Sequence, residues 1–376
     1  MTEPPQTTPA DALGERYRRR LAEHGHESDP AQVEVVRRLQ RLFDEITAEP
    51  ERGGVRRWLR RITGRTPPAP RGLYLWGGVG VGKTFLMDLF FEALPVERKQ
   101  RLHFYRFMQE VHALLKRGRG RRNPLDAVAE RLTRRAAVLC LDEFFVSDIT
   151  DAMILHQLLR ALFDRNLVLV TTSNIAPPDL YKDGLQRGRF LPAIALIERH
   201  TRVVRLDART DYRLRTLEAG EVYHHPCGRA ADDELARSFR AINGCADGED
   251  AGAGGAIEVN GRDVPVVRHS RNTAWFDFKD ICEGPRSPAD YISIAHLYHT
   301  VLISNVPLFD RRDDAARRFI QLVDEFYDRN VKLIVSAAAA PAELYRDGRL
   351  GPEFSRAASR LGEMQSRRYL SQAHRG

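Results

Sequence analysis

Residues 77–84, Gly77-Gly78-Val79-Gly80-Val81-Gly82-Lys83-Thr84, match the spacing G-x-x-x-x-G-K-[ST]. Glycines at these positions let backbone N–H groups turn inward around phosphate oxygens. The following helix N-terminus adds partial positive charge, Lys83 reaches the β and γ phosphates, and the Thr84 hydroxyl offers a ligand to magnesium. A tight glycine turn without a ligand is the competing reading. The strand-like "GLYLW" before the loop and the helix-like "TFLMDLFFEAL" after it argue against that.

A second group of chemical residues ends the apolar run "AVLCLDEFF", some 60 residues further on. Asp142 and Glu143 there place two carboxylates at the carboxyl edge of a parallel sheet, where phosphate chemistry sits. Asp142 is expected to hold magnesium through water, and Glu143 to polarise the attacking water. Asn174 closes another apolar run, "LVLVTTSN", and is expected to fix the attacking water or the γ-phosphate; a turn-forming Asn is the plainer alternative. Arg187 and Arg189 follow in "LQRGRFLPAI", and Arg356 and Arg360 lie one helical turn apart in "EFSRAASRLGEMQS". Each pair can neutralise charge on a transferred phosphoryl group. The alternatives are a solvated basic turn for the first pair, and ion pairs with Glu353 and Glu363 for the second.

These residues need a scaffold. "DPAQVEVVRRLQRLFDEI" predicts an amphipathic helix started at Asp29-Pro30, with Val33, Val36, Leu39, Leu42, Phe43 and Ile46 on one face. From residue 73, "LYLW", "LHFYRF", "AVLCLD", "LVLVTTSN" and "RVVRLD" read as five strands separated by helices, which implies a parallel sheet covered on both faces. "GCADGEDAGAGGA" (244–256) reads as a flexible linker, and "AIEVNGRDVPVV" as a hairpin turning at Asn260-Gly261. Three segments follow: a helical N-terminal segment over 1–70, a phosphate-binding core over 71–215 and a C-terminal α/β domain over 216–376.

The last segment contains a faint copy of the core. Shifted by 164 residues, 152–190 aligns with 316–354 without a gap and with 14 identities in 39 positions. Average composition would give about two or three. On this alignment Asn174 meets Ala338, Asp142 meets Val306 or Asn305, and no glycine-rich loop precedes "AWFDF". The copy is therefore expected to keep a helix at about 316–330 and a strand at about 331–336, and to bind no nucleotide.

Composition excludes several classes. Hydrophobic residues at 43% and charged residues at 29% describe a globular chain, and no apolar run is long enough to span a bilayer. The N-terminal residues carry no secretory signal, and the four cysteines form no CxxC pair, so a cytoplasmic location with reduced thiols is expected. "HHPC" (224–227) reads as a loop in preference to a metal site. The net charge of +8 permits an acidic partner without choosing one. "KRGRGRRNP" (116–124) is the densest basic run; without interleaved aromatics it reads as a solvated loop, and nucleic acid is not an expected partner.

Together, "RGLYLWGGVGVGKTFLMDLFF", "HFYRFMQEVH", "CLDEFFVSDITDAM", "TSNIAPPDLYKDGLQRGRFLPAI", "DYR" and "SRLGEMQS" resemble the AFG-like ATPases, a family with a bacterial cell-division branch and a mitochondrial branch. The resemblance implies an α/β P-loop NTPase of AAA+ type that hydrolyses ATP with Mg2+. It carries over Gly77 to Thr84, Asp142, Glu143 and Asn174, the last in the role called sensor 1. In such proteins Arg187 or Arg189 reaches a neighbouring subunit's site, so a homo-oligomer formed with ATP is implied, and Arg360 is a further candidate. Phe107 and Met108 occupy a position that faces the pore in ring-shaped relatives, with core packing as the alternative. The bacterial branch implies remodelling of FtsZ polymers at midcell, with peripheral association at the division membrane. Alternatives are a nucleic-acid-dependent ATPase akin to helicase loaders, and a proteostasis ATPase that handles membrane-protein subunits.

Overall fold

Short, continuously apolar runs need cover on both faces, and here such runs form the inner strands of a five-stranded parallel sheet whose edge strand Lys99–His103 is largely polar. In the computed structural model the strands are β1 (Gly72–Gly77), β2 (Lys99–His103), β3 (Val138–Asp142), β4 (Val168–Ser173) and β5 (Thr201–Leu206), in the order β2-β3-β4-β1-β5. The structure describes residues 12–23, 28–48, 69–78, 80–118, 123–207, 221–243 and 252–374. "DYR" (211–213), Cys245, Val79, 244–251 and most of the basic run lie outside them. The chain divides into two units, Met1–Thr210 and Asp211–Gly376.

In the first unit, alternate residues of β1, β3 and β4 feed two separate cores. Leu73, Leu75, Cys140, Val170 and Val204 pack against α1 (Ala12–Glu23), α2 (Pro30–Thr47) and α3 (Lys83–Ala93). Tyr74, Leu139, Leu141 and Leu169 pack against α4 (Phe104–Arg117), α5 (Pro124–Arg135), α6 (Ile149–Phe163) and α7 (Leu191–His200). The Asp29 side chain caps α2 by accepting from the Ala31 N–H at 2.7 Å. Val35, Val36, Leu39, Leu42, Phe43 and Ile46 of α2 are buried, each contributing about 1.5–3 kcal/mol. One expectation needs correction. The run "LHFYRF" is a strand only to His103; from Phe104 onward it is helix, because Phe104, Phe107, Met108 and Val111 recur at helical spacing and all point into the core.

The second unit is built on β6 (Tyr223–His224), α8 (Arg229–Asn243), β7 (Ala253–Val259), β8 (Arg262–His269), β9 (Thr273–Asp277), α9 (Pro288–Leu297), β10 (Thr300–Val306), α10 (Asp313–Asp328), β11 (Lys332–Ala337) and α11 (Gly351–Met364). Its strand order is β6-β11-β10-β9-β8-β7, with β6, β11, β10 and β9 parallel and the β7–β8 hairpin antiparallel. That hairpin turns at Asn260 and Gly261, both with positive φ (51° and 76°). Residues 253–256, expected in a linker, belong to β7.

The second unit retraces the first in detail. With the offset of 164, Ile149 meets Asp313 at a helix start, Val168 meets Lys332 at a strand start, and Pro177 meets Pro341 at a 3-10 turn. The Glu143 N–H donates to Thr172 Oγ1 at 3.1 Å, and the Asn305 N–H to Ser336 Oγ at 3.0 Å. Both residues sit at positive φ, 56° and 63°. The Tyr74 hydroxyl donates to the Ile175 carbonyl at 2.9 Å, and the Tyr223 hydroxyl to the Ala339 carbonyl at 2.8 Å.

This register corrects the sequence alignment in two places. Val138 pairs with Val168 whereas Thr300 pairs with Lys332, so the second unit carries two extra residues between β10 and α10. Asp142 therefore matches Ser304, and Glu143 matches Asn305. The strand "AWFDF" stands beside β10 as β2 stands beside β3, and the place of β1 is taken by the two-residue strand β6.

The loop after β6 cannot do what the loop after β1 does. Seven residues separate Leu75 from Lys83, but only four separate its match His224 from Arg229. The first turn of α3 holds no acid, whereas that of α8 holds Asp232, which would repel phosphate. Nucleotide titration is expected to saturate at one site per chain. A second site persisting in Lys83→Ala protein would contradict this.

Candidate functional site

The phosphate loop is gripped from α2. Gly82 ends the loop at φ +92° and caps α3, and a Cβ there would lie 2.5 Å from Gln32 Nε2. Glycine is required on both counts. The Gln32 amide donates to the Val81 carbonyl at 2.9 Å and accepts from the Tyr17 hydroxyl at 3.0 Å. Gln32 is buried, so this chain of bonds ties α1 and α2 to the loop backbone.

Lys83 gathers acceptors around one point. Its ammonium donates to the Gly77 carbonyl at 3.0 Å, to the Gly78 carbonyl, and to Asn174 Oδ1 at 2.9 Å. Oxygens of the loop and of Asn174 thus stand where phosphate oxygens would compete for the same charge. Asn174 and Lys83, far apart in sequence, are brought together because β1 and β4 are neighbours.

Asp142 and Glu143 end β3 beside that pair. A chain of bonds fixes the turn: the Phe144 N–H donates to the Thr172 carbonyl at 2.8 Å, and Ser173 Oγ donates to the Phe144 carbonyl at 2.7 Å. Glu143 takes the left-handed conformation at half-exposure, while Asp142 is buried. Its carboxylate accepts two bonds from Arg101, at 2.7 Å and 3.0 Å, and Arg101 also donates to Asp88 at 2.6 Å. Burial disfavours the guanidinium charge, but Asp142 and Asp88 outweigh it and hold Arg101 more firmly protonated than usual.

Arg101, Asp88, Gln32 and Tyr17 were not singled out in the sequence. A signal existed for two of them. Arg101 interrupts the inner positions of a strand, and Asp88 lies one turn after Thr84 on α3.

Of the arginines, Arg187 is half-buried and donates to the Pro178 carbonyl, whereas Arg189 is exposed. Arg356 and Arg360 bond Asp324 of α10 at 2.8 Å and 2.6 Å, not Glu353 or Glu363, and the Arg360 guanidinium lies 4.7 Å from the Tyr327 ring centre. Phe107 and Met108 are 1% and 2% exposed, as core packing requires. No helix among the described residues is long and apolar enough to cross a membrane.

A family model described as AFG1-like ATPase matches residues 12–373. The chain belongs to the AFG1-like ATPase family. It is 44% identical over 368 residues to the cell division protein ZapE of Escherichia coli K12, covering 96% of this chain and 97% of that one. It is also 37% identical over 311 residues to lactation elevated protein 1 homolog B of Danio rerio, covering 79% and 61%. Among solved structures, a DnaC helicase loader matches 48% of this chain and 93% of its own at 12% identity and a TM-score of 0.34. Domain III of the Thermotoga maritima replication initiator DnaA matches 50% and 80% at 18% identity and a TM-score of 0.31. The fold is a P-loop α/β core, and the activity is ATP hydrolysis.

Lys83→Ala is expected to slow hydrolysis by at least about 100-fold, since it removes the charge aimed at the phosphates. Glu143→Gln should slow phosphate release by about 100- to 10,000-fold while ATP still binds, since only water activation is lost. Phosphate-release rates beside equilibrium binding of a fluorescent ATP analogue check both. Wild-type turnover in Glu143→Gln would remove this carboxylate from the mechanism.

Proposed function

We propose that this ATPase acts in bacterial cell division by remodelling or destabilising FtsZ polymers at the constricting septum. The supporting observation is the 44% identity to E. coli ZapE across nearly the full length of both chains. The nucleotide is ATP with Mg2+, cradled by Gly77 to Thr84. Thr84 and Asp142 would hold the magnesium, which would supply charge neutralisation at the phosphates. The residues here suit it: Thr84 offers a hydroxyl, and each Asp142 oxygen accepts one Arg101 bond and keeps a lone pair for a metal-bound water. Asp142 orients that water shell, Glu143 takes the proton of the attacking water, and Asn174 positions it.

ATP assembles subunits into a homo-oligomer in which Arg189, the exposed member of its pair, enters a neighbour's site, with Arg187 buttressing the turn. Arg360, the further candidate for phosphate charge, is engaged by Asp324 of its own unit. The second unit is a degenerate copy of the first and serves as a partner-docking scaffold. The protein works in the cytoplasm at midcell, peripheral to the membrane. A proteostasis role by threading is less well supported, because Phe107 and Met108 lie in the core and cannot grip a client.

FtsZ polymer pelleting tests the main reading. Wild-type protein with ATP should shift FtsZ between pellet and supernatant, and Glu143→Gln should bind polymers without turnover of the effect. Identical sedimentation with wild type and Lys83→Ala would remove the FtsZ assignment. For the arginines, Arg187→Ala/Arg189→Ala protein should bind ATP yet hydrolyse it about 1,000-fold more slowly. Mixing it with Lys83→Ala protein should restore part of the activity, and full activity in a stable monomer would overturn the in-trans role.

A further inference from the structure

Arg101 bridges three parts of the nucleotide site from behind. Its Nε and Nη2 hold the two oxygens of Asp142 at 2.7 Å and 3.0 Å, its Nη1 holds Asp88 Oδ1 at 2.6 Å, and Nη2 also faces the Thr84 carbonyl at 3.5 Å. Side-chain exposure is 3% for both Arg101 and Asp142, and 27% for Asp88. One guanidinium is thus shared between the strand that ends in Asp142-Glu143 and the helix that begins with Lys83-Thr84.

We propose that Arg101 is a positioning residue that confines Asp142 to water-mediated contact with the nucleotide's metal ion. The inference rests on the magnesium–ATP reading above. A carboxylate gripped on both oxygens by a planar fork cannot rotate toward a cation. Direct coordination would also bring a dication against a buried guanidinium, which opposes it electrostatically. A bridging water separates those charges and leaves each carboxylate oxygen one lone pair with which to accept from it. The same fork fixes Asp142 relative to Thr84, so both ligand positions move together. Asp88 takes the remaining arm and keeps the fork from turning.

The test uses the full-length protein with Mn2+ and a non-hydrolysable ATP analogue. Electron paramagnetic resonance in 17O-water counts the waters held by the ion. In the wild type the count should leave no place for a carboxylate from β3. A wild-type count lower by one, traced to Asp142, would overturn the proposal without any variant. Arg101→Lys keeps the charge but cannot span both Asp142 oxygens and Asp88. It should lose one metal-bound water and bind Mn2+–nucleotide more tightly. Its Mg2+-dependent hydrolysis should fall about 10- to 100-fold with little change in KM for ATP. Arg101→Gln, which retains a single donor to Asp142, should behave alike. A lowered melting temperature with unchanged water count and unchanged metal midpoint would mean that Arg101 is structural only. No bound Mn2+–nucleotide in the wild type would instead sink the magnesium–ATP reading, and this inference with it.

Discussion

Parallel pairing around β4 is the constraint on which the site depends. This strand lies between β3 and β1, and everything chemical at the sheet edge is registered to it. Thr172 receives the Glu143 N–H, Ser173 donates to the Phe144 carbonyl, and Asn174 takes the Lys83 ammonium. A one-residue slip of β4 would turn its side chains to the opposite face and break all three links together. The site is held on the Glu143 side for that reason. The phosphate loop gains a further restraint from Gln32, whose bond to the Val81 carbonyl is buried and so costly to leave unmade.

Charge burial sets the second limit. Asp142 and Arg101 are almost wholly removed from water, and such a pair is stable only when geometry and extra hydrogen bonds repay desolvation. Here the fork satisfies both Asp142 oxygens and Asp88 besides. Removing one partner of a buried pair typically costs about 3–5 kcal/mol, because the other charge is left alone. This sum is a reason for the two carboxylates to face a single arginine. The residual negative charge of the trio also leaves the edge attractive to a cation.

The sequence made the local features legible and hid those created by distance. Gly77 to Thr84 could be read because the loop, its strand and its helix are contiguous. The fold class followed from five apolar runs with helices between them. Where β2 ends could not be read from "LHFYRF", since the same aromatics suit a strand or the buried face of a helix, and only the core decides. Arg101 could not be matched to Asp142 until β2 paired with β3, which sets it opposite Cys140, two residues before Asp142 on the same face of the sheet. The match of Asp142 to Ser304 was obscured by two extra residues between β10 and α10. Strand β6, only two residues long, is too short to carry any pattern.

The second unit separates what the scaffold requires from what the chemistry requires. Groups that hold the turns are kept: Thr172 becomes Ser336, Tyr74 matches Tyr223, and Asn166 and Asn330 both take positive φ after their helices. Groups that would meet nucleotide are not. Asp142 becomes Ser304, Glu143 becomes Asn305, Asn174 becomes Ala338, and Arg187 and Arg189 become Gly351 and Glu353. Asn305 still adopts the left-handed turn of Glu143, and its side-chain amide now donates to Asp277 at 2.8 Å, on the neighbouring strand. The turn therefore exists for reasons of sheet geometry, independent of hydrolysis. In the first unit the strained position of Glu143 is supplied by the fold itself, and what distinguishes it from Asn305 is its carboxylate.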